Sequence, residues 1–143
     1  MKTLKTLTLS LVILATFGTA KAVNLKTDNE VLTIDHAVAT YINALTHGQL
    51  SDLSAVIDQN AKFTMLRGKT MLSFSKADII NSVKDNENLE QQCATSTSIT
   101  ESNSDLSIVK IDMKYATFTY TSYVTLTNTS DGWKITNVYF VFK

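Results

Sequence analysis

Ser122 to Lys143 reads SYVTLTNTSDGWKITNVYFVFK, and no other stretch constrains the fold of this chain as much. Two runs rich in Val, Ile, Thr, Tyr, Phe and Trp flank Asn128-Thr129-Ser130-Asp131-Gly132. β-branched and aromatic side chains suit a pleated, half-buried surface, and a short polar loop containing Gly closes an antiparallel hairpin. In the second run Trp133 and Ile135 share a face, whereas Val138, Phe140 and Phe142 have the opposite parity. A bulge near Asn137 restores the register and curves the sheet.

Strand periodicity extends upstream. Leu106 to Lys114 alternates, with Val109, Ile111 and Met113 on one face and Lys110, Asp112 and Lys114 on the other. Thr117 to Thr127 puts Phe118, Tyr120, Ser122, Val124 and Leu126 on one side, against Thr119, Thr121, Tyr123 and Thr125. Cys93 to Ser102 is a Thr/Ser-rich strand ended by the turn Asn103-Ser104-Asp105, and Tyr115-Ala116 is the expected reversal, although the pattern alone also allows one long bent strand. Ala61–Leu66 and Thr70–Phe74 form a smaller pair around Arg67-Gly68-Lys69.

Helical periodicity precedes the strands. Thr27 with Glu30 fits a capping box, and Val31, Ile34, Val38, Tyr41, Ile42 and Leu45 recur at spacings of three and four, which predicts a helix ended by His47-Gly48. Gln49 to Ile57 predicts a second, shorter helix. Ser75-Lys76-Ala77-Asp78 is another capping box, opening a helix through about Asp85, and Asp85 to Gln92 is a polar connector. Helices first and a long meander after predict an α+β fold, with N-terminal helices packed on a curved, mostly antiparallel sheet. A hollow at the open end of such a sheet is the natural place for a ligand.

The compartment is read from the first residues. Met1 to Lys5 is basic, Leu7 to Phe17 is apolar and too short for a stable membrane anchor, and Ala20-Lys21-Ala22 offers small residues at a peptidase site. Residues 1–22 therefore read as a signal peptide and 23–143 as a single exported domain, periplasmic or secreted. The 13 basic residues balance 13 acidic ones, and cleavage removes Lys2, Lys5 and Lys21 but no acid, for a net charge of about −3. That balance argues against nucleic acid as a partner. After cleavage nothing remains to hold the chain in a membrane. The lone Cys93 forms no internal disulfide, and two His with one Cys on different elements have no metal-ligand spacing. No metal or cofactor is expected.

Tyr41-Ile42-Asn43-Ala44-Leu45-Thr46-His47-Gly48, Tyr123-Val124-Thr125-Leu126 and Gly132-Trp133-Lys134-Ile135 resemble the NTF2-like superfamily of cone-shaped α+β domains, and within it the secreted bacterial lumazine-binding-like proteins. The superfamily also includes ketosteroid isomerases, scytalone dehydratase and polyketide cyclases, so the resemblance implies a fold and leaves the activity open. Counted from Tyr41, which falls where the isomerases keep a hydrogen-bond-donating tyrosine, Met65 takes the place of their proton-shuttling carboxylate. Ser122 takes that of a protonated Asp. A thioether cannot accept the proton, so isomerase-type catalysis is not expected and no catalytic residue is assigned. The resemblance also implies dimerisation through the outer face of the sheet, where Thr119, Thr121, Tyr123, Thr125 and Thr136 are expected.

The candidate ligand-binding residues are Tyr41, Met65, Phe74, Tyr120, Ser122 and Tyr139, an apolar lining with a few hydroxyls that suits a small apolar or aromatic molecule. Two alternatives stand beside this non-catalytic binding domain. One is a dehydratase- or isomerase-type enzyme with a rearranged site; the other is a protein-interaction module using the sheet face.

Overall fold

The computed structural model describes residues 32–143. Residues 1–22, expected to be a signal peptide, and the Thr27/Glu30 pair lie outside the described residues. Within them, the first helix, α1, runs Ile34–His47. Thr33 is its N-cap, and its hydroxyl accepts the His36 N–H at 3.1 Å. Leu32 is already extended, bridging in parallel to Gly132 while its carbonyl accepts the Trp133 N–H at 2.8 Å. The helix ends on Gly48, whose φ of 62° is the left-handed conformation that turns the chain away from the sheet.

The expected second helix is a single turn, α2 (Leu53–Val56). Asp52 caps it without a side-chain bond, and Ile57 leaves the helical pattern to pair with Ile135 as the first residue of β1 (Ile57–Arg67). A neighbouring strand thus overrides four apolar residues that read equally well as helix. β2 (Thr70–Ser75) pairs with β1 across the Gly68 turn, where φ is 64°. Ser75 then caps α3 (Lys76–Lys84) in the expected box: its hydroxyl accepts the Asp78 N–H, and Asp78 accepts the Ser75 N–H at 2.8 Å. Lys76 folds back to donate to the Ser54 and Ile57 carbonyls at 2.7 and 2.8 Å, tying α3 to the end of α2. Together with burial, which disfavours its charged form, the nearby Lys134 lowers the Lys76 pKa.

The remaining strands are β3 (Ala94–Ser102), β4 (Leu106–Lys114), β5 (Thr119–Thr129) and β6 (Gly132–Phe142). The six form one sheet in the order β2-β1-β6-β5-β4-β3. All neighbours are antiparallel except β1 and β6, so the last strand in sequence lies near the middle of the sheet. Thr125 pairs with Asn137 but Leu126 pairs with Ile135, which leaves Thr136 as the extra residue of a bulge. Ile135, Val138 and Phe140 consequently all face the core. The Thr136 and Thr127 hydroxyls lie 2.9 Å apart beside the bulge.

The helices cover one face of the sheet. The core between them contains Ala37, Tyr41 and Ala44 from α1, Phe63 from β1, Ile111 from β4, Val124 and Leu126 from β5 and Val138 from β6. On the outer face Lys110 pairs with Asp112 at 2.8 Å, and the Thr121 hydroxyl donates to Asp112 at 2.6 Å. Thr121 is wholly buried there, unlike the solvent-facing residue that alternation alone predicts.

Candidate functional site

The inner face of the sheet is organised in cross-strand rows. Met65, Phe140, Ser122 and Ile111 form one row across β1, β6, β5 and β4. The next row toward the open end is Phe142, Tyr120 and Met113. Above this second row lies a cleft of about 300 Å³. Its floor and one wall are Met113, Tyr120 and Phe142; Tyr115 and Phe118, from the β4–β5 turn, form a lip. Leu45 of α1 and the connector residues Asn86 and Gln91 close the other side.

The lip is an aromatic cluster. Tyr115 and Phe118 stack with centroids 4.6 Å apart, and Phe142 lies 6.0 Å from Phe118 and 5.2 Å from Tyr120. Tyr120 also meets Phe140 at 5.5 Å, which in turn lies 6.5 Å from Phe74. Rings at these distances and tilts attract one another and keep the cleft wall in one arrangement. The opposite wall is fixed by backbone hydrogen bonds from the connector to the end of α1: the Gln91 N–H donates to the Thr46 carbonyl at 2.6 Å and the Asn88 N–H to the Gly48 carbonyl at 3.1 Å.

Two hydroxyls, those of Tyr41 and Ser122, lie beneath Tyr120. Tyr41 is 2 % exposed and Ser122 is fully buried. Ser122 Oγ has no hydrogen-bond partner. The Tyr41 and Tyr120 phenols are near enough to feel the Ser122 hydroxyl, which favours their ionised forms, but they do not satisfy it. Burial dominates both phenols. It raises Tyr41 well above its ordinary 10.0, with the charge of Tyr120 adding to the rise, and it raises Tyr120 as well. Both are therefore neutral donors at physiological pH. The residues lining the cleft include no carboxylate, imidazole or ammonium group. The site can hold an uncharged molecule by packing and offer it hydroxyl hydrogen bonds, and an anion would lack a cation to meet it.

Of the six residues singled out in the sequence, Tyr120 lines the cleft, with Tyr41 and Ser122 directly below it. Met65 and Phe74 are on the same inner face, half-buried against the core and connected to the cleft through Phe140. Tyr139 is not with them. It alternates with the buried Val138 and Phe140 and pairs with Tyr123 and Thr64, which places it on the outer face. Phe142 shares the parity of Phe140 on β6, and Phe118, just before β5, continues the parity of Tyr120, so alternation could have found them. Asn86 and Gln91 come from a connector without periodicity, and only the fold brings them to the cleft.

The other reactive groups are elsewhere. His36 is exposed on α1, and His47 meets Glu90 at 3.6 Å on the surface. Cys93 is half-buried beside Tyr115. Among the described residues no group of three or more His, Cys, Asp or Glu is placed to hold a metal ion, and no helix is long and apolar enough to cross a membrane.

Comparison with known proteins bears on the fold and the family. An NTF2-like protein of unknown function from Silicibacter pomeroyi DSS-3 superposes with a TM-score of 0.65 at 17% identity, covering 76% of this chain and 92% of that one. An NTF2-like protein of unknown function from Methylobacillus flagellatus KT gives 0.60 at 16% identity, over 76% and 88% of the two chains. A ketosteroid isomerase-like protein from Erwinia carotovora atroseptica SCRI1043 gives 0.59 at 13% identity, over 80% and 97%. At such identities the likeness establishes the NTF2-like fold. No curated protein matches. The sequence profile of the family described as "Putative lumazine-binding" matches residues 29–141, and the chain, an NTF2-like α+β domain, belongs to that family.

Proposed function

We propose that the chain is an exported, non-catalytic binding domain whose cleft takes a small, uncharged, apolar or aromatic molecule carrying at least one oxygen. The single observation that carries this reading is Ser122 Oγ, a fully buried hydroxyl without a partner beneath an aromatic cleft. Leaving such a group unpaired costs about 1–3 kcal/mol, and a ligand oxygen reaching past Tyr120 would recover it. Tyr41 and Tyr120, both held protonated, are the neighbouring donors. Met65, Phe74 and Phe140 extend the apolar surface inward. The neutral lining and the thioether of Met65 support a holding role over proton transfer.

The test is native mass spectrometry of freshly purified chain, followed by extraction of any retained molecule. Recovery of a neutral aromatic or terpenoid-like compound, displaced from a Ser122→Ala variant, is the expected result. Turnover of a ketone by the purified chain would sink the non-catalytic reading.

The outer face supports a homodimer. Thr64, Tyr139, Tyr123 and Val141 make a weakly polar central band there, and Leu66 and Met71 beside it are 43% and 65% exposed. Face-to-face packing of two such bands is an isologous contact that covers these side chains.

A further inference from the structure

The two edges of the sheet differ. β2 is six residues long, bounded by Lys69 and by Lys76, where α3 begins, and short edges flanked by lysine resist strand addition. β3 has neither protection. It is nine residues long, every one of them exposed, and Ala94 to Thr100 reads ATSTSIT without a charge or a proline. A bulge between Ile99 and Glu101 ends its straight part, and the spare Thr100 turns its hydroxyl back onto the Ile108 carbonyl at 3.1 Å. The open edge is therefore Ala94–Ile99, about 20 Å at strand rise.

We propose that this edge is an interface at which β3 pairs antiparallel with β3 of a second copy of the chain, across a two-fold axis through the paired Thr97 residues, joining two six-stranded sheets into one. The run is complementary to itself. Antiparallel pairing centred there sets Ser, Thr, Ala and Ile against one another and keeps each Glu101 at the far end from its mate, so no like charges oppose.

Ile99 supplies the apolar part of the contact. It is 61% exposed and stands with Leu32, Ile34 and Trp133 around a largely apolar notch on the inner face, which Thr33 and Asp35 also border. An added strand projects alternate side chains over that notch, and Thr95 or Thr97 of the second copy covers it with a methyl group. Because the β2 edge is blocked, the contact is isologous and closes at two copies; pairing of unlike edges would propagate into a fibre. One six-residue strand pair buries less than a standard interface, so assembly is expected at about 200 µM protein and not at about 1 µM.

Sedimentation equilibrium of the mature chain tests this beside the outer-face dimer. Thr97→Lys brings two ammonium groups together near the axis, and Ser98→Lys does the same from the opposite face. Each is expected to halve the mass seen for wild type at about 200 µM, with circular dichroism and melting temperature unchanged. Tyr123→Lys charges the outer face and leaves the edge association in place. Lysine variants of β3 that retain the wild-type mass overturn the edge proposal while leaving the outer-face reading intact. A wild type that stays monomeric at about 200 µM overturns both.

Discussion

Replacing Ser122 by Ala should make the ligand-free protein more stable. Ser122 Oγ is completely buried on β5, in the row between Ile111 and Phe140, and has no partner. Folding strips its water and returns no hydrogen bond, which costs about 1–3 kcal/mol. Alanine removes that penalty along with one oxygen, whose handful of contacts contributes about 0.1–0.2 kcal/mol each. The balance favours alanine by about 1 kcal/mol. For a domain of this size that raises the midpoint by about 4 °C. The assay is scanning calorimetry and urea unfolding of protein refolded from denaturant, so that any retained molecule is gone. Ligand affinity should move the other way, by about tenfold for one hydrogen bond of about 1.4 kcal/mol. A Ser122→Ala protein that melts below wild type would refute the reasoning, since the hydroxyl would then have a partner, and the argument for a ligand oxygen would go with it.

Tyr41→Phe should weaken ligand binding with little change in melting temperature; equal loss of both would mean that the phenol serves the core alone. Tyr41 is raised above 10.0 first by burial and then by Tyr120, so its ionised form prefers the unfolded chain. Stability should hold below pH 10 and fall as pH rises beyond it, and Tyr41→Phe should flatten that fall in an alkaline titration followed by circular dichroism. Gly48→Ala should cost about 3–5 kcal/mol by urea unfolding: a Cβ there runs into Asn86 O and Asn88 N and comes within 2.9 Å of Leu89 N, at a φ of +62°. Exported material should begin at Val23 by mass spectrometry, and an intact Met1 form recovered as the mature species would end the export proposal.

What could be read in the sequence follows from what each pattern encodes. β4 and its turn were legible to the residue because Val109, Ile111 and Met113 alternate cleanly with Lys110, Asp112 and Lys114. The parity break in β6 named its own bulge, since no other geometry buries both Ile135 and Phe140. The helix expected over Gln49 to Ile57 shrank to Leu53–Val56 because so short an apolar run carries little period of its own, and pairing of Ile57 with Ile135 ended it. The site was legible where it lies on strands. Tyr120 and Ser122 were placed by alternation and Tyr41 by helical spacing. Tyr139 was assigned to the hollow against the parity of its neighbours, and the structure follows the parity. The far wall, Asn86 and Gln91, depends on hydrogen bonds to Thr46 and Gly48 across a distance in sequence that no local pattern spans.

The central position of β6 bears on when this protein can fold. Until Gly132 to Phe142 is available, β1–β2 and β3–β4–β5 are two separate ribbons, neither with a second layer wide enough to hide its apolar side. Closure therefore waits for a strand that follows in the chain every strand it joins. Neither ribbon can bury its inner face until β6 slots between β1 and β5, so the sheet is completed in one step rather than strand by strand.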